Sequence, residues 1–263
     1  MNFLQQSEKD VSQEYADKGY IIRPVADKNM LDKIRDELVS LIEKTIHPII
    51  NHGSNILNEV HKSLSPDNLN PFRLKMIEGI NDRAWFRQAY YQLAMPYLNI
   101  LVGNELSMQL RVNLSIQLPD DNSSLLPTHA DTWSGDSPYE VVVWLPLVDC
   151  YDTKSMYLLP PTHTQELEKN FSKYAGKNSE ELFQSIKNDI EWLKVNYGEV
   201  LVFNQTLPHG NRINKENETR WSMNCRFKSV FSPYGDKKLG EFFEPITLRT
   251  VSRMAMDYKL PSI

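Results

Sequence analysis

The spacing of apolar residues changes once along the chain, from a helical period to a strand period near residue 107. Before that point, Leu31, Ile34, Leu38, Leu41 and Ile42 recur at three- and four-residue steps behind Asp27, which is placed to cap the helix they predict. A second helical stripe starts near Asp82 and carries Trp85, Phe86, Ala89, Tyr90, Leu93, Tyr97 and Leu101. Pro96 interrupts it and predicts a bend or a division into two helices. Between the two stripes, NHGSNILNEVHKSLSPDNLNPFRL is polar and punctuated by proline, and predicts only short helices and loop. Ahead of both, GYIIRPV reads as a short strand. Residues 1–105 are therefore expected to form a mostly helical support.

After residue 107 the period is two. In LRVNLSIQL, Leu110, Val112, Leu114, Ile116 and Leu118 alternate with Arg111, Asn113, Ser115 and Gln117, which gives one apolar and one polar face. EVVVWLPLVD, SMYLLPP, GEVLVFNQ and TRWSMNCRFKSVF follow as further strands. Residues 164–192 have helical character, with Asn178 and Glu181 at capping-box spacing, and read as an insertion between strands. The expected plan is one domain: helical support over 1–105, a β core over 106–235 holding the insertion, and a C-terminal extension over 236–263. Internal repeats and low-complexity tracts are absent from the sequence.

Composition narrows the function classes. At 263 residues the chain can bury a sizeable core. The formal net charge is −5, with acids and bases interspersed and no basic block, so there is no electrostatic footprint for nucleic acid. The longest apolar run, VVVWLPLV, is too short to cross a bilayer, and MNFLQQSEKD lacks the basic start and apolar centre of a signal peptide. A soluble cytoplasmic protein acting on a small molecule, without membrane or nucleic-acid partners, is the expectation. Cys150 and Cys225 match neither a disulfide framework nor a zinc spacing and read as buried free thiols.

The candidate chemistry lies in the strand region. Strand side chains alternate faces, so His129 and Asp131 would point the same way and offer an imidazole and a carboxylate to one ion. With a second imidazole these occupy one face of an octahedron and leave three positions open, the arrangement of non-haem Fe(II) oxygenases. Zinc can take the same ligands. His209 and His163 compete for the third place. His209 ends a well-marked strand, whereas His163 follows two prolines ahead of a helical stretch, so His209 is the choice. His47, His52 and His61 lie in the helical part without an acidic partner at ligand spacing.

On these residues the chain resembles the Fe(II)- and 2-oxoglutarate-dependent oxygenases, and within them the phytanoyl-CoA dioxygenase-like group. The resemblance runs from YADKGYIIRPV through His129-x-Asp131, WLPLVDCYDTKSMYLLPPTH and GEVLVFNQTLPHGN to Arg220, and so covers most of the chain. It implies a double-stranded β-helix, or jelly roll of cupin-like type, with His129, Asp131 and His209 holding Fe(II) at its open end, and with 2-oxoglutarate and O2 as cosubstrates. Arg220 stands about eleven residues after His209, where the family places the arginine that pairs with the far carboxylate of 2-oxoglutarate. A planar guanidinium offers that carboxylate a two-pronged donor.

Along the same strand Arg220, Ser222, Asn224, Arg226 and Lys228 share one parity, and Trp221, Met223, Cys225 and Phe227 the other. Ser222 is thereby placed beside the cosubstrate, as the Arg-x-Ser pattern of related enzymes implies, with Gln117 near it on the upstream polar face. Asn113, Trp133, Asp136, Asn224 and Arg226 are the candidate substrate contacts. As a polar set with one flat ring, they point to a sugar, aminocyclitol or sugar nucleotide rather than an acyl chain. HADTWSGDSPYE is similar to oxygenases of bacterial carbohydrate-biosynthesis clusters and aminoglycoside assembly.

The chain departs from the family in having Pro160-Pro161-Thr162-His163 where Pro-Gly-Ser-His is common, and in lacking a glycine where Ser155 precedes Met156. The Asp131 carboxylate implies hydroxylation-type chemistry, since the halogenating branch has a small residue there. Two rival readings are a jelly roll that binds a metabolite or metal without turnover, and a cupin-type zinc or manganese hydrolase or isomerase. The full ligand set together with Arg220 favours the oxygenase.

Overall fold

Where the period changes, the chain passes from helices into sheet. The computed structural model describes residues 3–46 and 55–261; His47 and His52 fall outside the described residues. The helical part comprises α1 (Gln6–Lys18), α2 (Lys28–Thr45), α3 (Ile56–Glu59), α4 (Pro66–Asn81) and α5 (Phe86–Leu101), with the strand β1 (Tyr20–Pro24) after α1. α2 is capped as expected: the Asp27 carboxylate accepts the Met30 N–H at 3.0 Å, and Leu31, Ile34, Leu38 and Ile42 are buried.

Two elements differ from the expectation, both at prolines. α4 is a full helix where short pieces and loop were expected: Pro66 takes the first helical turn, where no N–H is required, and the helix also runs on through Pro71. Leu69, Phe72, Met76 and Ile80 form its buried stripe. α5 runs unbroken through Pro96. Near the bond that Pro96 cannot make, the Leu93 carbonyl accepts the Ala26 N–H at 3.0 Å, so this turn is held from outside the helix.

Among the described residues two antiparallel sheets follow. The larger joins β1, β7 (Glu199–Asn204), β4 (Glu140–Pro146) and β9 (Arg220–Ser229) side by side. Along the far edge of β9 lie β2 (Leu106–Gln109) and β3 (Asn113–Gln117), with β10 (Phe243–Pro245) outside β2. The smaller sheet is β6 (Glu191–Trp192), β5 (Tyr157–Leu158) and β8 (His209–Gly210). This is the double-stranded β-helix, with the helices packed on the outer face of the large sheet. There Trp221 is fully buried, donates its indole N–H to the Leu57 carbonyl at 2.8 Å, and meets Phe72 edge-on. β4 is apolar on both faces since one packs on the helices and the other, through Val142 and Trp144, lines a cavity between the sheets.

The single strand expected over 110–118 is broken. Between the pairs Met108–Phe227 and Asn113–Asn224, β9 has Cys225 and Arg226 while the facing chain has 109–112, so the edge bulges. Asn81 holds the bulge open, accepting the Val112 N–H and donating to the Val112 carbonyl, both at 3.0 Å, and Leu110 is turned out to solvent. The insertion contains α6 (Pro161–Lys169) and α7 (Ser179–Ile186), the latter opened by the Asn178–Glu181 capping box. Its apolar residues Leu167, Leu182 and Ile186 join Leu159 in a separate small cluster. Beyond β10 the chain ends in α8 (Thr250–Asp257).

Candidate metal centre

His129 and His209 face each other as an antiparallel bridge, exchanging backbone hydrogen bonds of 3.1 and 2.8 Å. The geometry differs in detail from two strand ends. His209 opens the two-residue β8 after a turn, and Asp131 begins a 3-10 turn, Asp131–Ser134. Their side chains still converge because Ala130 between His129 and Asp131 is extended and fully buried, which turns its two neighbours to the opposite side.

One ligand atom from each of His129, Asp131 and His209 lies within 4.8 Å of the others. Each imidazole has its Nδ1 2.8 Å from a carbonyl two residues back, that of Pro127 for His129 and of Leu207 for His209. A carbonyl can only accept, so Nδ1 carries the proton and each Nε2 presents its lone pair. His129 Nε2 is 3.4 Å from Asp131 Oδ1.

The charges are set for cation binding. Burial alone would raise the Asp131 carboxyl, but His129, Arg226 and His209 hold it well below the usual carboxylate range. Burial, with His129 beside it, pushes His209 down to about 4, so this ring is neutral near pH 7. Burial also acts to lower His129, but Asp131 and the Pro127 carbonyl outweigh it and leave that ring above its usual value.

Arg220, the first residue of β9, is buried on the floor of the same cavity. It donates to the Ser155 carbonyl at 3.0 Å and to Ser115 Oγ at 2.9 Å, both neutral acceptors, while among the described residues its Nε–H has no partner. The hydroxyls of Ser155 and Ser222 are likewise buried without hydrogen-bond partners among the described residues. Burial lowers Arg220 to about 10, so it remains a cation. Buried Lys154 fixes the loop that carries Ser155, reaching Glu218 at 2.5 Å and Asn58 at 2.9 Å.

Register explains how the remaining residues are distributed. β3 pairs with β9 so that Asn113 faces Asn224, Ser115 faces Ser222 and Gln117 faces Arg220. Asn113, Asn224, Ser222 and Arg226 all line the cavity, whose volume is about 240 Å³. The Asn113 amide donates to Asn224 Oδ1 at 3.0 Å. Gln117 is buried beside the cavity wall, donating to the Arg212 carbonyl at 2.6 Å, with its Oε1 unpaired.

Three residues are held elsewhere. Trp133 lies 39% exposed against Phe171, ring centroids 5.0 Å apart, outside the cavity lining. Asp136 is buried in ion pairs with Lys237 at 2.6 Å and Arg226 at 3.3 Å. His163 is on α6, 3.9 Å from Asp189, and is not among the residues lining the cavity of the triad. Sequence reasoning missed Ser115, although its parity with Asn113 and Gln117 was visible, and missed Gln205 and Gln109, which no local pattern marks.

No protein-family model and no curated protein matches the chain. Solved structures do. The non-heme monooxygenase ThoJ, in a nickel complex, is 13% identical with a TM-score of 0.57, covering 92% of this chain and 86% of its own. HygX from Streptomyces hygroscopicus, with nickel and 2-oxoglutarate bound, is 15% identical with a TM-score of 0.53 and 90% of both chains covered. The epimerase SnoN, in complex with Fe3+, alpha ketoglutarate and nogalamycin RO, is 15% identical with a TM-score of 0.52, covering 87% of this chain and 86% of its own. The chain thus shares the jelly-roll fold of non-haem, 2-oxoglutarate-dependent enzymes.

Proposed function

We propose that this protein is an Fe(II)- and 2-oxoglutarate-dependent oxygenase that hydroxylates a small, polar, hydroxyl-rich molecule. One observation carries the reading: a two-histidine, one-carboxylate face and a buried guanidinium without a counter-ion share one cavity. Each feature alone is ambiguous. A buried cation satisfied only by neutral acceptors is unfavourable until an anion arrives, and here the unpaired Arg220 Nε–H and Ser222 hydroxyl stand ready for a carboxylate. The donor set fits the metal as well, since two imidazoles and one carboxylate leave open positions for a chelating cosubstrate.

In this reading His129, Asp131 and His209 hold the iron, with the Pro127 and Leu207 carbonyls fixing both imidazole tautomers. Arg220 and Ser222 take the far carboxylate of 2-oxoglutarate. Ser115 and the Ser155 carbonyl hold the guanidinium fork in place for it. Val142, Trp144, Met156 and Phe203 give the rest of the cavity an apolar lining. When bound, iron supplies oxygen activation, coupled to decarboxylation of 2-oxoglutarate to succinate.

The substrate reading rests on Asn113 and Asn224, whose mutual hydrogen bond leaves the Asn113 amide oxygen and the Asn224 amide NH2 to meet hydroxyls. The resemblance of HADTWSGDSPYE to carbohydrate-cluster oxygenases supports the same direction. So does the fold shared with SnoN, an enzyme from nogalamycin biosynthesis. The test is in two steps. Under nitrogen, Fe(II) and 2-oxoglutarate added to the purified protein should produce a weak visible charge-transfer band. In air, sugars, sugar nucleotides, amino acids and acyl thioesters are then screened for substrate-stimulated succinate, with the mass shift of the candidate as confirmation. Absence of the band would reject the oxygenase; stimulation confined to acyl thioesters or amino acids would reject only the sugar-like substrate.

A further inference from the structure

Arg226 was expected to reach substrate; its guanidinium lines the cavity and is also held by four oxygens of the protein. Nη2 lies 2.9 Å from Asp131 Oδ2, Nε lies 3.2 Å from Gln205 Oε1 and 3.3 Å from Asp136 Oδ1, and Nη1 lies 3.4 Å from Gln109 Oε1. These partners are themselves fixed. Lys237 holds the other oxygen of Asp136 at 2.6 Å, and the Gln205 amide donates to Glu140 and to the Ser137 carbonyl, both at 2.9 Å. Gln109 sits in the bulge facing Arg226, and its side chain also accepts the Arg226 backbone N–H at 3.3 Å. The bulge therefore replaces a ladder bond with a side chain that aims the arginine.

The two oxygens of Asp131 are thereby separated. Oδ1 faces His129 Nε2, on the side of the triad, and Oδ2 faces Arg226. We propose that Arg226 is a positioning residue that reserves Asp131 Oδ2, confines this carboxylate to one coordination position, and so keeps three positions open on the metal. This rests on the metal-centre reading above. Its consequence is specific: 2-oxoglutarate chelating through two atoms would leave one position, and a carboxylate bound through both oxygens would take it. Without Arg226 the free Oδ2 lies one carboxylate rotation from the metal, with no other cation within ion-pair distance to hold it among the described residues.

The experiment counts open positions without turnover. Mn(II) is loaded into the metal-free protein, and the relaxation rate of bulk water protons reports the waters exchanging on the bound ion. Arg226→Met should bind Mn(II) with a water relaxation enhancement lower by about one third, as three bound waters become two. Calorimetry should show that 2-oxoglutarate itself is bound within about threefold of the wild-type affinity, because Arg220 is untouched. Leaving Asp136 with one cation fewer can unfold the chain. The double variant Arg226→Met/Asp136→Asn removes both charges together and carries the same expectation. An unchanged enhancement in a folded, Mn(II)-loaded variant, with the substrate KM raised, would make Arg226 a substrate contact and overturn the proposal. Failure of the wild-type protein to bind Mn(II), Co(II) or Fe(II) at all would instead reject the metal centre on which the proposal rests.

Discussion

Replacing Arg220 by leucine should move stability and cosubstrate affinity in different directions. In the free protein the guanidinium is buried with two neutral acceptors and an unpaired Nε–H. Holding an unpaired cation in such a place costs several kcal/mol, and two hydrogen bonds return about 1 kcal/mol each. Leucine removes the charge and leaves the Ser155 carbonyl and the Ser115 hydroxyl beside a cavity that water can enter. The free Arg220→Leu protein should therefore unfold at or above the wild-type temperature.

With 2-oxoglutarate the sign reverses. A charge-assisted bidentate contact contributes about 1.5–3 kcal/mol or more, so affinity should fall roughly tenfold to a thousandfold. At a concentration about 100 times the wild-type Kd, the cosubstrate stabilises the wild-type protein by about 2.7 kcal/mol. A variant weakened a hundredfold would gain only about 0.4 kcal/mol under the same conditions. Thermal unfolding with and without 2-oxoglutarate, alongside calorimetry, reads both quantities, and Arg220→Lys should fall between the two because it keeps the charge and loses the fork. A free Arg220→Leu protein destabilised by more than about 3 kcal/mol, with unchanged 2-oxoglutarate affinity, would show that the arginine is a structural cation and refute the reasoning.

Single alanine substitutions of His129, Asp131 and His209 should each abolish stoichiometric Fe(II) binding and product formation, whereas His163→Ala, paired only loosely with Asp189, should retain most of both; metal analysis showing the reverse for His163 and His209 would change the ligand set. With chloride present and its own substrate supplied, the wild-type protein should release no chlorinated product by mass spectrometry, because Asp131 fills the place a halide would need. Gly235→Ala should lower stability by about 1–3 kcal/mol in a thermal melt, since overpacking against backbone cannot be relieved by a rotamer change. The added Cβ would stand 2.2 Å from the Gly135 carbonyl oxygen, between the loop after β9 and the turn that carries Asp131. An unchanged melt would mean that the two segments are not tightly joined.

Parity made much of this site legible in advance. β9 is a regular ten-residue strand paired on both sides, so alternation alone separates Arg220, Ser222, Asn224 and Arg226 from buried Trp221, Met223, Cys225 and Phe227. The same rule brought His129 and Asp131 together although neither lies in a long strand, because it needs only that Ala130 be extended. Local sequence pattern fell short where long-range contacts decide. Asp136 follows the His-x-Asp pair closely in sequence, but Lys237, about a hundred residues later, draws it into an ion pair away from the cavity. The bulge at 109–112 depends on Asn81 from a helix, and α4 on a proline that local pattern reads as a breaker.

Two arginines six residues apart on one face of β9 are indistinguishable by parity and by charge. Their partners distinguish them. Arg226 lies between two carboxylates, so its charge is compensated inside the protein. Arg220 has neutral acceptors and, among the described residues, an unused N–H, which suits it to the proposed ligand carboxylate. The positions of the carboxylates decide this: Asp131 and Asp136 arrive together from the turn after His129, opposite the end of β9 that carries Arg226. A cation that anchors a ligand and a cation that orders a metal ligand thus arise from one strand. On the proposed reading the electrostatic work of the cavity is divided along its length, with the metal triad beside the compensated arginine and the cosubstrate's far carboxylate assigned to the uncompensated one.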